Sequence, residues 1–338
     1  MTRTTIPAPV DTMTAWAQDR YGGPERLASC EVEVPLPGAG EVLLRVRATG
    51  LNAGDIRVLR GDPLLVRAFF GLRHPRNPVR GMDVAGTVVA VGPGVDEFRV
   101  GDEVVGELPG GGLASFAIAP VSRLVRRPAA VAPQVAAALP IAGGTAWQAL
   151  DLAGVAAGSR VLVIGASGGV GTFAVQLAAH RGAEVSALCG DRNRRLVQEL
   201  GAVRTADARR VRAGTEQLGP PSFDAVIDIV GTMPLRSLHR MVRPGGVVVL
   251  VAGAGGRVLG PARRIIGAAL RSLGSGTRFR PLAATAKPGI LAQLLDLVAA
   301  DTLRPVIERT YPLAEAPAAL AHVDAGHTVG KVVVTAPR

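Results

Sequence analysis

The stretch Val161-Leu-Val-Ile-Gly-Ala-Ser-Gly-Gly-Val-Gly171 carries residue types suited to holding a pyrophosphate. A short apolar run enters a turn of small residues, and apolar residues leave it at helical spacing: Val170, Phe173, Ala174, Leu177 and Ala178. A dinucleotide turn needs small residues to bend sharply, to let main chain approach the phosphates, and to pack helix closely on strand. Gly168 and Gly171 meet the second and third needs, and Ala166 stands where the first glycine of G-x-G-x-x-G belongs. Alanine is a small substitute there, with Gly165 and Gly169 adding freedom nearby. Ala166, Ser167, Gly168, Gly169, Val170 and Gly171 are therefore the expected cofactor loop, whose helix N-terminus favours an anion. A lone glycine pattern also fits a ligand-free turn. Here the preceding strand, the following helix and a second strand at the right spacing favour a dinucleotide.

About 20 residues past such a turn, an acid on the ribose favours NAD, while a nearby arginine accommodates the extra phosphate of NADP. The chain has both, in Cys189-Gly-Asp-Arg-Asn-Arg-Arg195. Gly190 at the strand tip leaves room for a phosphate, and Arg192 or Arg194 offers it a fork of donors, with Asn193 alongside. Asp191 is the argument for NADH, unless it only caps the following helix. The balance favours NADPH.

These groups must be positioned by two kinds of element. The first ~135 residues read as β-rich, with strands at Glu41 to Ala48, Val84 to Val91 and Val100 to Val105 separated by Pro and Gly, which suggests a partly closed barrel. From Pro140 strands and helices alternate: Val161 to Ile164, the glycine-loop helix, Glu184 to Cys189, Arg194 to Leu200, Phe223 to Val230 and Gly246 to Val251. That rhythm argues a doubly wound parallel sheet. A helix at about Ile290 to Ala300 and short strands from Val306 follow. The fold class is therefore α/β, with a β-rich domain from 1–139 and 286–338 interrupted by a nucleotide domain from 140–285.

Composition bounds the partners. The formal charge is +11, but the arginines are scattered and no run of like charge forms a nucleic-acid arm. Aromatics at 3% supply no stacking platform for single strands. Cys30 and Cys189 lie far apart in no metal spacing, so neither a disulfide scaffold nor a cysteine zinc site is expected. No signal-peptide core and no run of the ~20 apolar residues needed for a span is evident, so a cytoplasmic protein is expected.

The whole chain resembles the zinc-independent quinone oxidoreductase branch of the medium-chain dehydrogenase/reductase superfamily. The pieces that carry this are Tyr21-Gly-Gly-Pro-Glu, Gly50-Leu-Asn-Ala-Gly-Asp55, Gly81-Met-Asp-Val-Ala-Gly86, Gly101-Asp-Glu-Val, Gly143-Gly-Thr-Ala-Trp147, the glycine loop and Gly330-Lys-Val-Val, in that order. Gly71-Leu-Arg-His-Pro-Arg-Asn-Pro78, Ala286-Lys-Pro288 and Gly326-His327 look closest to the reticulon-interacting mitochondrial oxidoreductases and their bacterial relatives. The resemblance implies a GroES-like domain with a Rossmann domain. Zinc members carry cysteine where this chain has Asn52, histidine where it has Met82, and a four-cysteine lobe with no counterpart here. Asparagine and methionine cannot supply zinc's tetrahedral ligands, so no metal is expected. Without a Lewis acid, alcohol oxidation becomes hard, whereas hydride addition to an enone, enoyl group or quinone needs only hydrogen-bond donors for the developing charge.

By family position Asn52 lies beside the nicotinamide as a donor to a substrate carbonyl, or else closes a strand-end turn. Asp55 and Asp83 are candidates to relay a proton, or are hydrogen-bonded structure. Thr145 is expected on the nicotinamide ribose or carboxamide, with Trp147 in the core. Val230 and Gly231, Ala252 and Gly253, and Thr285 match the family's nicotinamide loops, and His327, Thr328 and Val329 match the stretch that closes over the cofactor. The expected activity is NADPH-dependent reduction of an activated double bond or quinone by a homodimer. Rival readings are a dedicated enoyl reductase of natural-product biosynthesis, a nucleotide- or RNA-binding protein on this fold, and an isomerase or lyase using NADPH only structurally.

Overall fold

A computed structural model of the chain describes residues 12–211, 223–251, 260, 262–272 and 276–337. One half is a six-stranded, wholly parallel sheet. The strands lie in the order Arg204–Asp207, Glu184–Cys189, Arg160–Ile164, Phe223–Asp228, Val242–Leu250 and Arg278–Pro281. Strands buried on both faces read as continuous apolar runs. Alternate residues go to opposite helical layers: Val161, Val163, Val185, Ala187, Ala225 and Ile227 pack with helices Pro140–Ala153 and Gly169–His180. Leu162, Ile164, Leu188, Val226 and Val248 pack with Leu238, Met241 and Ala268 on the other side. The chain order reverses between Arg160–Ile164 and Phe223–Asp228, and open α/β sheets bind ligands beyond the strand ends at such a reversal.

The other half is a seven-stranded sheet centred on Glu41–Leu51, which pairs antiparallel with Asp83–Val91, Phe116–Pro120 and Lys331–Thr335. Lys331–Thr335 thus returns from the far end of the chain to lie against Ala48 to Leu51. A two-stranded ribbon, Thr12–Ala17 with Ala28–Glu33, completes the strands.

Three local readings change. The segment Val100 to Val105 is not one strand, because Gly101 takes φ +96° in a turn and the strand is Glu103–Glu107. Between the two late strands Ile307–Pro312 and Lys331–Thr335 lies a helix, Ala316–Asp324, whose Ala-rich composition hides its period. Helix Ala53–Arg60 follows directly on Asn52, so the Asn52 turn is also a helix N-terminus.

Candidate active site

The glycine loop leaves strand Arg160–Ile164 at the reversal point. Gly165 makes the sharp turn at φ +86°, and a Cβ there would lie 2.6 Å from Val230 Cγ2. Ala166 is fully buried, and both its N–H and that of Gly165 donate to Leu188 O at 3.0 Å. The first-glycine duty therefore falls on Gly165, one residue earlier than the pattern puts it, and this is why alanine is tolerated at 166. A Cβ on Gly171 would stand 2.1 Å from Gly165 O, so the helix Gly169–His180 packs on its strand as only glycine permits. At Gly168 a Cβ would meet nothing nearer than 3.5 Å, and no side chain caps this helix. Uncapped N–H groups beside that open space fit a pyrophosphate.

Around the loop the outer residues knit together. Asn193 Nδ2 donates to Ser167 Oγ at 3.1 Å, and Arg192 Nη2 donates to His327 O at 3.3 Å. Arg194 is spent on Thr205 Oγ1, Thr205 O and Asp191, and Asp191 caps no helix. Of the two arginines, Arg192 is thus the freer fork; it and Gly190 are exposed. His327 is exposed, with its Nδ1 2.6 Å from Ala325 O. Val329 N–H donates to Glu308 Oε2 at 2.9 Å, and Gly330 N–H to Ser167 O at 2.8 Å, with Thr328 between. The 327–330 stretch is therefore clamped at the rim of the loop from both sides.

Further along, Gly231 (φ +75°) donates its N–H to Asp228 Oδ1, and Asp228 is ion-paired with Arg264 at 2.7 Å; Val230 is half exposed. Gln148 Nε2 donates to Thr285 O and its Oε1 accepts from Thr285 N–H, which pins the 285 segment to helix Pro140–Ala153. Thr145 sits one turn earlier on that helix, buried at 8% exposure. Trp147 packs against the core, with Arg181 over its ring. Ala252 and Gly253 lie outside the described residues.

The Asn52 turn faces a buried polar cluster. Asn52 Nδ2 donates to Asp83 Oδ2 at 2.9 Å and Gly50 O at 3.4 Å, while its Oδ1 accepts from Lys331 Nζ at 2.6 Å. Lys331 Nζ also donates to Leu51 O at 2.9 Å and lies 3.6 Å from Asp83. Asn52 thus donates to Asp83 and more weakly to Gly50, an arrangement that fits the alternative of an asparagine closing the strand-end turn. Asp55 is 1% exposed, and its oxygens accept the N–H groups of Asn52 and Gly81 at 2.9 and 3.2 Å. It holds the first turn of helix Ala53–Arg60, and this geometry fits the structural alternative rather than a proton relay.

Burial pushes the Asp83 carboxyl up to about 7, opposed by Lys331 and by the Asn52 amide, and burial pushes the Lys331 ammonium down. The folded protein then holds the Asp83 proton across a window, from about 4 to about 7, in which an unfolded chain has released it. Stability contributed by that proton is present at low pH and lost as pH rises. Urea denaturation should show stability falling more from pH 5 to 7.5 in the wild type than in Asp83→Asn. Parallel slopes would remove Asp83 as the titrating group.

Among the described residues no three His, Cys, Asp or Glu side chains are gathered so as to hold a metal ion, and no helix is long and apolar enough to cross a membrane. Residues 38–129 match the alcohol dehydrogenase GroES-like domain, and 200–334 match a zinc-binding dehydrogenase family. The chain is 36% identical to the chloroplast envelope quinone oxidoreductase homolog of Arabidopsis thaliana, over 93% of its own length and 95% of that protein's. It belongs to the medium-chain dehydrogenase/reductase superfamily. This superfamily member is also 32% identical to the mitochondrial NAD(P)H oxidoreductase RTN4IP1 of Mus musculus, over 95% of its length and 89% of that protein's. It superposes on the quinone oxidoreductase from Coxiella burnetii with a TM-score of 0.84 at 28% identity, covering 96% of this chain and 99% of that one.

Three residues of this medium-chain dehydrogenase/reductase have contacts that its motifs do not give. Lys331 had a signal, as a charged residue opening the apolar strand Lys331–Thr335, and it is 2% exposed. Gln148 and Arg264 had none, because their partners lie 137 and 36 residues away in sequence.

Proposed function

We propose that this protein is a zinc-independent oxidoreductase that binds NADPH and delivers hydride to an activated C=C bond or a quinone. The observation that carries the reading is the uncapped glycine-loop helix at the sheet's reversal point, with Arg192 reaching over it to the 327 carbonyl. The main chain of Ala166 to Gly171 would hold the pyrophosphate. Arg192, Gly190 and Asn193 would receive the adenosine ribose and its phosphate. Thr145, Val230, Gly231, Thr285 and the 327–329 rim would orient the nicotinamide, a kind of cofactor that the name of the NAD(P)H oxidoreductase relative supports. When bound, the cofactor supplies the hydride.

The chain's own residues then position and exclude water, since alignment of reacting groups alone is worth several kcal/mol. In the buried cluster Lys331 binds Asn52, one of the positions where the resemblance puts a ligand in the zinc members. Its ammonium, neutralised in part by Asp83, keeps that cluster tied without a metal. The test is protein-dependent oxidation of NADPH and NADH against quinones, enones and aldehydes, with metal analysis of the active preparation. Turnover of enones or quinones with NADPH preferred is the expected result. Stoichiometric zinc, or turnover of alcohols alone, would sink the proposal.

A further inference from the structure

Beside the Asn52 turn lies a buried arginine whose Nε has no hydrogen-bond partner. It is Arg80, 3% exposed. An arginine does not shed its charge, and withdrawing that charge from water is expensive unless an anion or several acceptors receive its hydrogens. Its main chain is fixed: Leu113 N–H donates to Arg80 O at 2.9 Å, and the N–H of the next residue, Gly81, donates to Asp55 Oδ1 at 3.2 Å. Arg80 is thereby carried on the same strap that holds the first turn after Asn52.

The groups that act on Arg80 are Asp55 and Tyr21, and neither serves as its acceptor. Asp55 has an oxygen on each of two main-chain N–H groups, and the Tyr21 hydroxyl donates to Gly71 O at 2.5 Å. Tyr21 in turn feels three cations, Arg67, Arg76 and Arg80, and Arg67 lies over its ring at 4.6 Å. Arg67, Arg76 and Arg80 thus share this corner with Tyr21 and with Asp55, whose carboxylate already receives two main-chain N–H groups.

We propose that Arg80 anchors a carboxylate of the substrate, so that the acceptor reduced here is a carboxylated enone or quinone rather than a neutral one. The planar fork of a guanidinium matches a carboxylate through two parallel hydrogen bonds, and one such pair settles orientation as well as charge. Anchored there, the acid group would fix which carbon of the acceptor is presented on the Asn52 side. The inference rests on the reductase reading above and narrows its substrate class.

The test compares β-acetylacrylate with its methyl ester, two acceptors that share the activated double bond and differ in the carboxylate. Values of kcat/KM with NADPH are measured for the wild type, Arg80→Met and Arg80→Lys, with NADPH affinity measured by fluorescence for each. The wild type should prefer the acid by about tenfold or more, the discrimination expected of one charge-assisted pair. Arg80→Met should lose at least roughly ten times more on the acid than on the ester, and Arg80→Lys should keep part of the preference. If Arg80→Met fails to fold, the wild-type preference and the Arg80→Lys values still decide. Equal use of acid and ester by the wild type, or an equal loss on both in Arg80→Met, overturns the anchor alone. If NADPH binds but no enone or quinone is reduced, the reductase reading falls and takes this inference with it.

Discussion

Gly171→Ala should cost this protein most of its cofactor affinity. The added Cβ would stand 2.1 Å from Gly165 O and 2.7 Å from two main-chain atoms of Ala166. All three contacts are with backbone, so no side chain can swing aside, and the helix Gly169–His180 must move off its strand. Overpacking of this kind is typically worth about 2–3 kcal/mol, or roughly a 30- to 140-fold weaker NADPH complex if the strain falls on the bound geometry. Isothermal titration would measure it, with thermal unfolding showing how much falls on the fold instead. Gly168→Ala is the informative control. Its Cβ would meet only Gly165 O, at 3.5 Å, so the fold should be untouched and any loss of affinity reports close approach of the ligand. Wild-type NADPH affinity in Gly171→Ala would show that the loop is a structural turn and nothing more.

Arg192→Ala should change which cofactor is preferred. Arg194 is occupied by Thr205 and Asp191, whereas Arg192 makes one long hydrogen bond, to His327 O at 3.3 Å. A charge-assisted pair to the adenosine phosphate is worth about 1.5–3 kcal/mol, so NADPH affinity should fall roughly 10- to 100-fold while NADH, lacking that phosphate, changes by no more than about threefold. Equal losses for both cofactors would mean that Arg192 serves only to hold the 327 stretch. A wild-type preference for NADH would make Asp191 the deciding residue.

Much of this was legible in the residues. The parallel sheet could be read because its strands are unbroken apolar runs, and the glycine loop because small residues cluster between strand and helix. The one-residue shift of the sharp turn, from Ala166 to Gly165, was not legible, because Ala166 holds the pattern's first position and only φ marks Gly165 as the turn residue. Asn52 shows the opposite limit. Its place beside the cleft followed from resemblance, but its donor capacity depends on Asp83 and Lys331, which lie 31 and 279 residues away. A side chain's type says what it can donate; only its neighbours say what remains to be donated.

By itself, then, the sequence determined the fold class and the presence of a glycine-rich turn between strand and helix, since both follow from local periodicity and from residue size at adjacent positions. The tertiary structure decided which groups are spent and which are free: Asp55 on its helix turn, Asn52 between a carboxylate and an ammonium, Arg194 on Thr205, Arg192 nearly open and Arg80 buried with its Nε unpaired. Those assignments arise from hydrogen bonds and desolvation among residues distant in the chain, and such terms exist only once the two sheets have been brought together.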